Sequence, residues 1–212
     1  MLSDNILFNM YLLFATLFIY ILPLFIFKKQ DYFSIIYEIM PITIDHQLRE
    51  QITHEASVFP ITYFHNELAT LLNWEGPLHW HPEFEIATAV SGILDFQVGQ
   101  KHLTLEAGDS IFINGNILHG IRQVSGDVPD PMPNILFSDI IFAPGTSVIY
   151  QKYIHPVAGS DALPFIMFRH GNSWHDEVNR LAEDIYWQLR ECNACYEMVV
   201  QHDLRAADKG IL

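Results

Sequence analysis

The chain has 212 residues, half of them hydrophobic and 17% charged, which excludes a disordered, collagen-like or low-complexity protein. Eleven Lys and Arg against 25 Asp and Glu give a formal charge of −14; few cations remain to neutralise phosphates, so no direct nucleic-acid binding is expected of this chain alone. Two cysteines, Cys192 and Cys195, cannot make a disulfide-stapled scaffold, and the fold must hold itself together by packing.

The hydrophobicity is concentrated first at the N-terminus. Ile6 to Phe27 carries no charge, and its roughly 22 residues at ~1.5 Å rise would reach across a bilayer core. Asp4 precedes it and Lys28-Lys29 follow it, which predicts a membrane-spanning helix with the C-terminal bulk in the cytoplasm. A cleaved signal peptide would carry its basic residues before the apolar run, not after it. A buried helix of a soluble domain, or a stretch upstream of the true start, are the other readings of the same residues. Residues 1–47 are thus expected to form an apolar helix and a linker.

From Leu48 onward short apolar stretches alternate with turn residues. Val58-Phe59, Ile61–Phe64, Phe84–Val90, Ile93–Val98, His102–Leu105, Ile111–Ile113, Ile117–Ile121, Ile135–Phe142 and Ser147–Tyr153 are predicted strands. Glu75-Gly76-Pro77, Ser91-Gly92, Gly108-Asp109 and Asn114-Gly115-Asn116 are among the turns between them. Many short strands at this spacing predict a sandwich or barrel over residues 48–160. The period then changes: Val178, Leu181, Ala182, Ile185 and Leu189 recur at helical spacing, with Ser173 as cap and Asp176 three residues on. Tyr196, Val199, Val200 and Leu204 form a second helical pattern, so residues 161–212 are expected to be two helices. Cys192-Asn-Ala-Cys195 falls between these helices; a redox pair would follow a strand, and zinc would need two more ligands.

One cluster carries chemistry. His79 and His81 are two apart and share a strand face, Glu85 has the same parity, and His119 follows some distance on behind Gly108. Two imidazoles, a carboxylate and a third imidazole suit Fe, Mn, Ni, Cu or Zn. Ala87 and Ala89 on the same face leave room for a small molecule, and mutual hydrogen bonding in a polar interior is the plainer alternative. The other histidines (His46, His54, His65, His102, His155, His170, His175 and His202) show no ligand spacing.

These strings resemble the cupin family. His79-x-His81, Glu85 and Gly92 fit its first motif, and Gly108 and His119 fit its second, where Asn114 and Asn116 replace the usual Pro and Gly. Those departures, with His79-Trp-His-Pro-Glu-Phe-Glu-Ile86 and the Gly108-Asp109 turn, look like the sensor domain of arabinose-regulator (AraC-type) transcription factors. The resemblance implies a mainly β fold: a cupin-like jelly-roll barrel followed by two C-terminal helices. It implies a sensing and dimerisation module, not an enzyme and without a cofactor, that binds a small-molecule effector near His79, His81, Glu85, Asn114 and His119. Val178, Leu181, Ile185 and Leu189 would supply the dimer helix, either in a homodimer or in a heterodimer with a full-length relative. The segment from Arg49 to Phe59 would relay occupancy to the helix-turn-helix domain that normally follows in that family and reads DNA; the sequence stops at Leu212, so that domain is expected to be absent from this chain. The alternative is a small metal-dependent cupin enzyme, a dioxygenase or isomerase, with a single transition metal on His79, His81, Glu85 and His119.

Overall fold

The computed structural model describes residues 42–52, 59–67, 75–125 and 131–207; the segment 6–27, expected to cross a membrane, lies outside them. Among the described residues no helix is long and apolar enough to cross a membrane. In chain order these residues form β1 (Ile61–Glu67), β2 (Glu75–His79), β3 (Phe84–Thr88), β4 (Ile93–Val98), β5 (Lys101–Glu106), β6 (Ser110–Ile113), β7 (His119–Ser125), β8 (Pro131–Phe137) and β9 (Phe165–Phe168). Two helices follow, α1 (Ser173–Glu191) and α2 (Tyr196–Ala207).

The strands make two antiparallel sheets, ordered β1-β8-β3-β6-β9 and β2-β7-β4-β5. Face to face they form the expected cupin-like jelly roll, mainly β and closed by two C-terminal helices. Pleating sorts the side chains. On β3, Ala87 joins Leu94, Phe96, Leu105, Ile111 and Ile113 between the sheets, while Phe84 and Ile86 face the other way with Phe112, Ile135 and Phe137. That second face is covered by the helices. Both faces of β3 and β6 are therefore buried, which is why these strands read as continuous apolar runs. The four-stranded sheet turns a polar face outward instead, with Asp95 bonded to His102 and Arg122 across its strands.

The helical stripe is spent on this chain's own core. Val178, Leu181, Ile185 and Leu189 are all buried and pack with Val200 and Leu204 of α2 against the five-stranded sheet. Helix α1 begins one residue earlier than expected: Asn172, not Ser173, is the N-cap and accepts from the Trp174 amide. Asp176 accepts from the Gly171 amide, holding the entry turn. The helix ends where Cys192 turns into the left-handed region (φ 48°), and Cys195 adopts the same conformation (φ 64°). The two cysteines belong to a helix–helix turn, where the Cys192 thiol donates to the Leu189 carbonyl at 3.1 Å.

Several predicted strands change place. Glu75-Gly76-Pro77, expected as a turn, opens β2, because Gly76 has no side chain to collide with Ile121, whose Cγ2 would lie 2.8 Å from an added Cβ. Ser147–Tyr153 is not a strand: the Ser147 hydroxyl accepts from the Tyr150 amide and starts a short helical turn, with Val148 and Ile149 left in solvent. Ile135–Phe142 stops as a strand at Phe137 and continues as a single 3-10 turn, Asp139–Ile141. Strand β9 was not expected at all; Phe165–Phe168 is too short to stand out from its neighbours and is held by pairing with β6.

Candidate metal centre

Strand pairing assembles the site. In the β2–β7 ladder His79 stands directly opposite His119, and their ring centroids are 4.3 Å apart. His81 follows two residues after His79 on the same face, 5.0 Å from the His119 ring. Glu85 comes from β3, in the facing sheet. The turn Asn114-Gly115-Asn116 brings the second motif against the first: the Asn116 amide donates to the His81 carbonyl at 2.7 Å. A Cβ on Gly115 would sit 2.4 Å from the Pro82 carbonyl oxygen, so only glycine permits this approach. Asn116 takes the left-handed conformation (φ 64°), which asparagine tolerates better than most residues. That accounts for an asparagine where the cupin motif has glycine.

His79, His81, Glu85 and His119 are all buried, and their candidate ligand atoms lie within 4.8 Å of one another. Each imidazole is oriented from behind. Nδ1 of His79 donates to the Pro77 carbonyl at 2.8 Å, that of His81 to the Glu83 carbonyl at 3.1 Å, and that of His119 to the Ile117 carbonyl at 2.8 Å. With the Nδ1 atoms committed, all three Nε2 atoms turn inward, as they do in histidines that ligate a metal, and His81 Nε2 donates to Glu85 while no cation is there. Glu85 Oε2 lies 3.3 Å from His81 Nε2 and 3.0 Å from His119 Nε2. The second approach lacks hydrogen-bonding alignment, and His119 Nε2 is a buried nitrogen with no hydrogen-bond partner. Glu85 Oε1 is held by the Asn134 amide at 3.0 Å.

Charge within the cluster follows from this packing. Burial would raise the Glu85 carboxyl, but His119 and His81 facing it hold it well below the usual carboxylate range. Burial would lower His81, yet its bond to Glu85 and the nearby carboxylates raise it. At His79 the balance goes the other way: burial, then the neighbouring His119, outweigh its bond to Pro77 and the Glu85 charge and push it down to about 4. A fifth group, Glu50, sits with its Oε2 3.6 Å from His79 Nε2, and burial pushes its carboxyl up to about 7. Three inward imidazole nitrogens and a carboxylate sharing one buried space is an arrangement that protons or a cation must neutralise. The donor set, three neutral imidazoles and a carboxylate, fits a divalent transition metal.

The four ligand candidates read from the sequence are thus brought together, but Asn114 is not among them. Its amide donates to the Val157 and Leu163 carbonyls and its oxygen accepts from the Gly115 and Gly159 amides, so every polar atom is engaged with backbone. Glu50 and Asn134 were missed. Neither stands at a spacing related to the histidines, and Pro131 and Pro133 hid the strand that carries Asn134.

Residues 72–129 match the family model described as a cupin domain, which covers both strings of the cluster. Together with the fold, this supports the cupin superfamily for the barrel. Among solved structures, an RmlC-like cupin from Shewanella frigidimarina is 19% identical over 37% of this chain and 67% of its own, with a TM-score of 0.30. KdgF from a Halomonas species is 20% identical over 39% of this chain and 73% of its own, with a TM-score of 0.30. The DMSP lyase DddQ from Ruegeria pomeroyi is 24% identical over 43% of this chain, with a TM-score of 0.29, and the chain spans only 42% of that lyase. No curated protein matches the chain in sequence.

Proposed function

We propose that this cupin barrel is a metal-dependent enzyme acting on a small molecule, with one divalent transition metal held by His79, His81, Glu85 and His119. The observation that carries the reading is the inward convergence of three Nε2 atoms and a carboxylate, with all three Nδ1 atoms already committed and His119 Nε2 left without a hydrogen-bond partner. Backbone carbonyls fix the rings, and Asn134 fixes Glu85, so the donors are preorganised rather than gathered on binding. Such an ion supplies Lewis acidity toward an oxygen of the substrate. The apolar residues between the sheets keep water from the inner side of the cluster, and the reaction class is a dioxygenation or an isomerisation. The sensor reading draws less support, because the buried cluster of three histidines and a glutamate suits a metal centre.

The test is the metal content of the purified full chain, prepared without a polyhistidine tag or added metal and read by plasma mass spectrometry. Near one transition metal per chain is expected, lost on chelation and absent from His81→Ala. Iron would favour the dioxygenase, and zinc or nickel the isomerase. A folded chain with essentially no metal, and no uptake when metal is offered, would sink the proposal.

A further inference from the structure

A second carboxylate, Glu50, reaches the cluster at His79 from outside the two motifs. Residues 42–52 form a tight turn ahead of the barrel. Asp45 Oδ1 accepts from the Gln47 amide at 2.8 Å and the Arg49 amide at 3.0 Å, and the Gln51 amide donates to the Thr43 carbonyl at 2.8 Å. The turn docks beside β2, the edge strand of its sheet. The Glu50 amide donates to the Trp80 carbonyl, and the Trp80 amide to the Leu48 carbonyl, each at 2.9 Å. Trp80 Nε1 donates to the Gln47 carbonyl at 3.0 Å, and the Arg49 guanidinium lies 5.6 Å from the Trp80 ring centroid.

This register decides where Glu50 points. Arg49 is bridged in parallel to Trp80, so the two side chains share a face, and their neighbours share the other. Trp80 lies between His79 and His81. Glu50 is therefore delivered to the histidine face, where its Oε2 stands 3.6 Å from His79 Nε2 with the side chain 13% exposed. Among the described residues no Lys or Arg forms an ion pair with Glu50. A largely enclosed acid has been brought to a cluster that already contains one, by a turn stabilised for that conformation.

We propose that Glu50 is a further oxygen donor to the cation held by His79, His81, Glu85 and His119, so that the ion and the docked 44–50 turn stabilise each other. The inference rests on the metal reading above. It makes the N-terminal turn part of the site: an ion that gains a ligand from the turn holds the turn against β2, and a chain without the ion leaves it free to lift.

The experiment uses the full chain stripped with chelator, with Co²⁺ as the probe. Calorimetry gives the dissociation constant, and hydrogen exchange read by mass spectrometry follows the peptide spanning residues 44–51. The wild-type chain is expected to bind one Co²⁺ and to slow exchange in that peptide about tenfold or more. Glu50→Gln is expected to raise Kd about tenfold or more and to remove the exchange response, because a ligand to the ion is lost. Glu50→Asp keeps the charge and shortens the reach, and should fall between them. An unchanged Kd in Glu50→Gln, or Co²⁺ binding by wild type with no change in exchange, overturns the role of Glu50 and leaves the four-residue site standing. Failure of wild type to bind Co²⁺ overturns the site itself. The wild-type exchange measurement stands even if a variant does not fold.

Discussion

Two inward-facing residues on β3, Glu85 and Ala87, lie two positions apart, both almost wholly enclosed, and they belong to opposite regimes. Around Ala87 the interior is Leu94, Phe96, Leu105, Ile111 and Ile113, stabilised by leaving water and indifferent to anything the chain binds. Around Glu85 it is three imidazoles and an asparagine, each costly to bury unless satisfied. One end of the barrel is complete when folded. The other is complete only with something cationic or protonated in it.

The comparison can be tested most strongly at its apolar end. Phe96→Ala should cost about 3–5 kcal/mol in urea unfolding, and by the same amount with and without metal. A metal dependence of that cost would mean the two ends are not separate. The polar end should respond the other way. Divalent metal at about a thousandfold excess over Kd should raise stability by about 4 kcal/mol, and Glu85→Ala should abolish the gain. Gly115→Ala drives a Cβ into the Pro82 carbonyl and should cost about 1–3 kcal/mol together with a weaker metal Kd, because the turn that brings the two motifs together must shift.

Smaller effects sharpen the contrast further. In the metal-free chain, Glu50 contributes stability that is full below its unfolded value of 4.5 and is lost as pH rises through about 7. His79 contributes in the opposite sense, present above 6.5 and lost as pH falls through about 4. Glu50→Gln removes the first effect only, so its stability relative to wild type should climb between pH 4.5 and 7, on the order of 1–2 kcal/mol by denaturant titration. A flat difference would show that Glu50 is not enclosed as described. Arg122→Ala, which breaks an exposed pair with Asp95 on the outer face, should change stability by less than about 1 kcal/mol.

What the sequence disclosed follows from the range of the forces involved. His79, His81 and Glu85 were legible because the two-residue pleat is a local rule, and Gly108 to His119 because the motif keeps its spacing. The α1 stripe was legible as a helix, but not as to what covers it, since the same residues serve a core or an interface. Strand β2 was hidden because Gly76-Pro77 reads as a turn unless its neighbour Ile121 is known. Ser147–Tyr153 has strand-like residues but nothing to pair with, and a local hydroxyl bond won. Glu50 was beyond reach for a similar reason: its place depends on a bridge between Arg49 and Trp80, which no spacing encodes.

Asn114 carries a separate consequence. Its single amide grips the Val157, Leu163 and Gly159 backbone and its own following amide, and touches none of their side chains through those bonds. A connector that this asparagine recognises through its main chain can change most of its residues freely, apart from Ala158, which packs against the core, and Gly159, whose φ of +67° disfavours a side chain. The stretch from Val157 to Leu163 can therefore diverge quickly among relatives while the corner leading into His119 stays where it is, so that variation at the rim and constancy at the centre are kept apart by one asparagine.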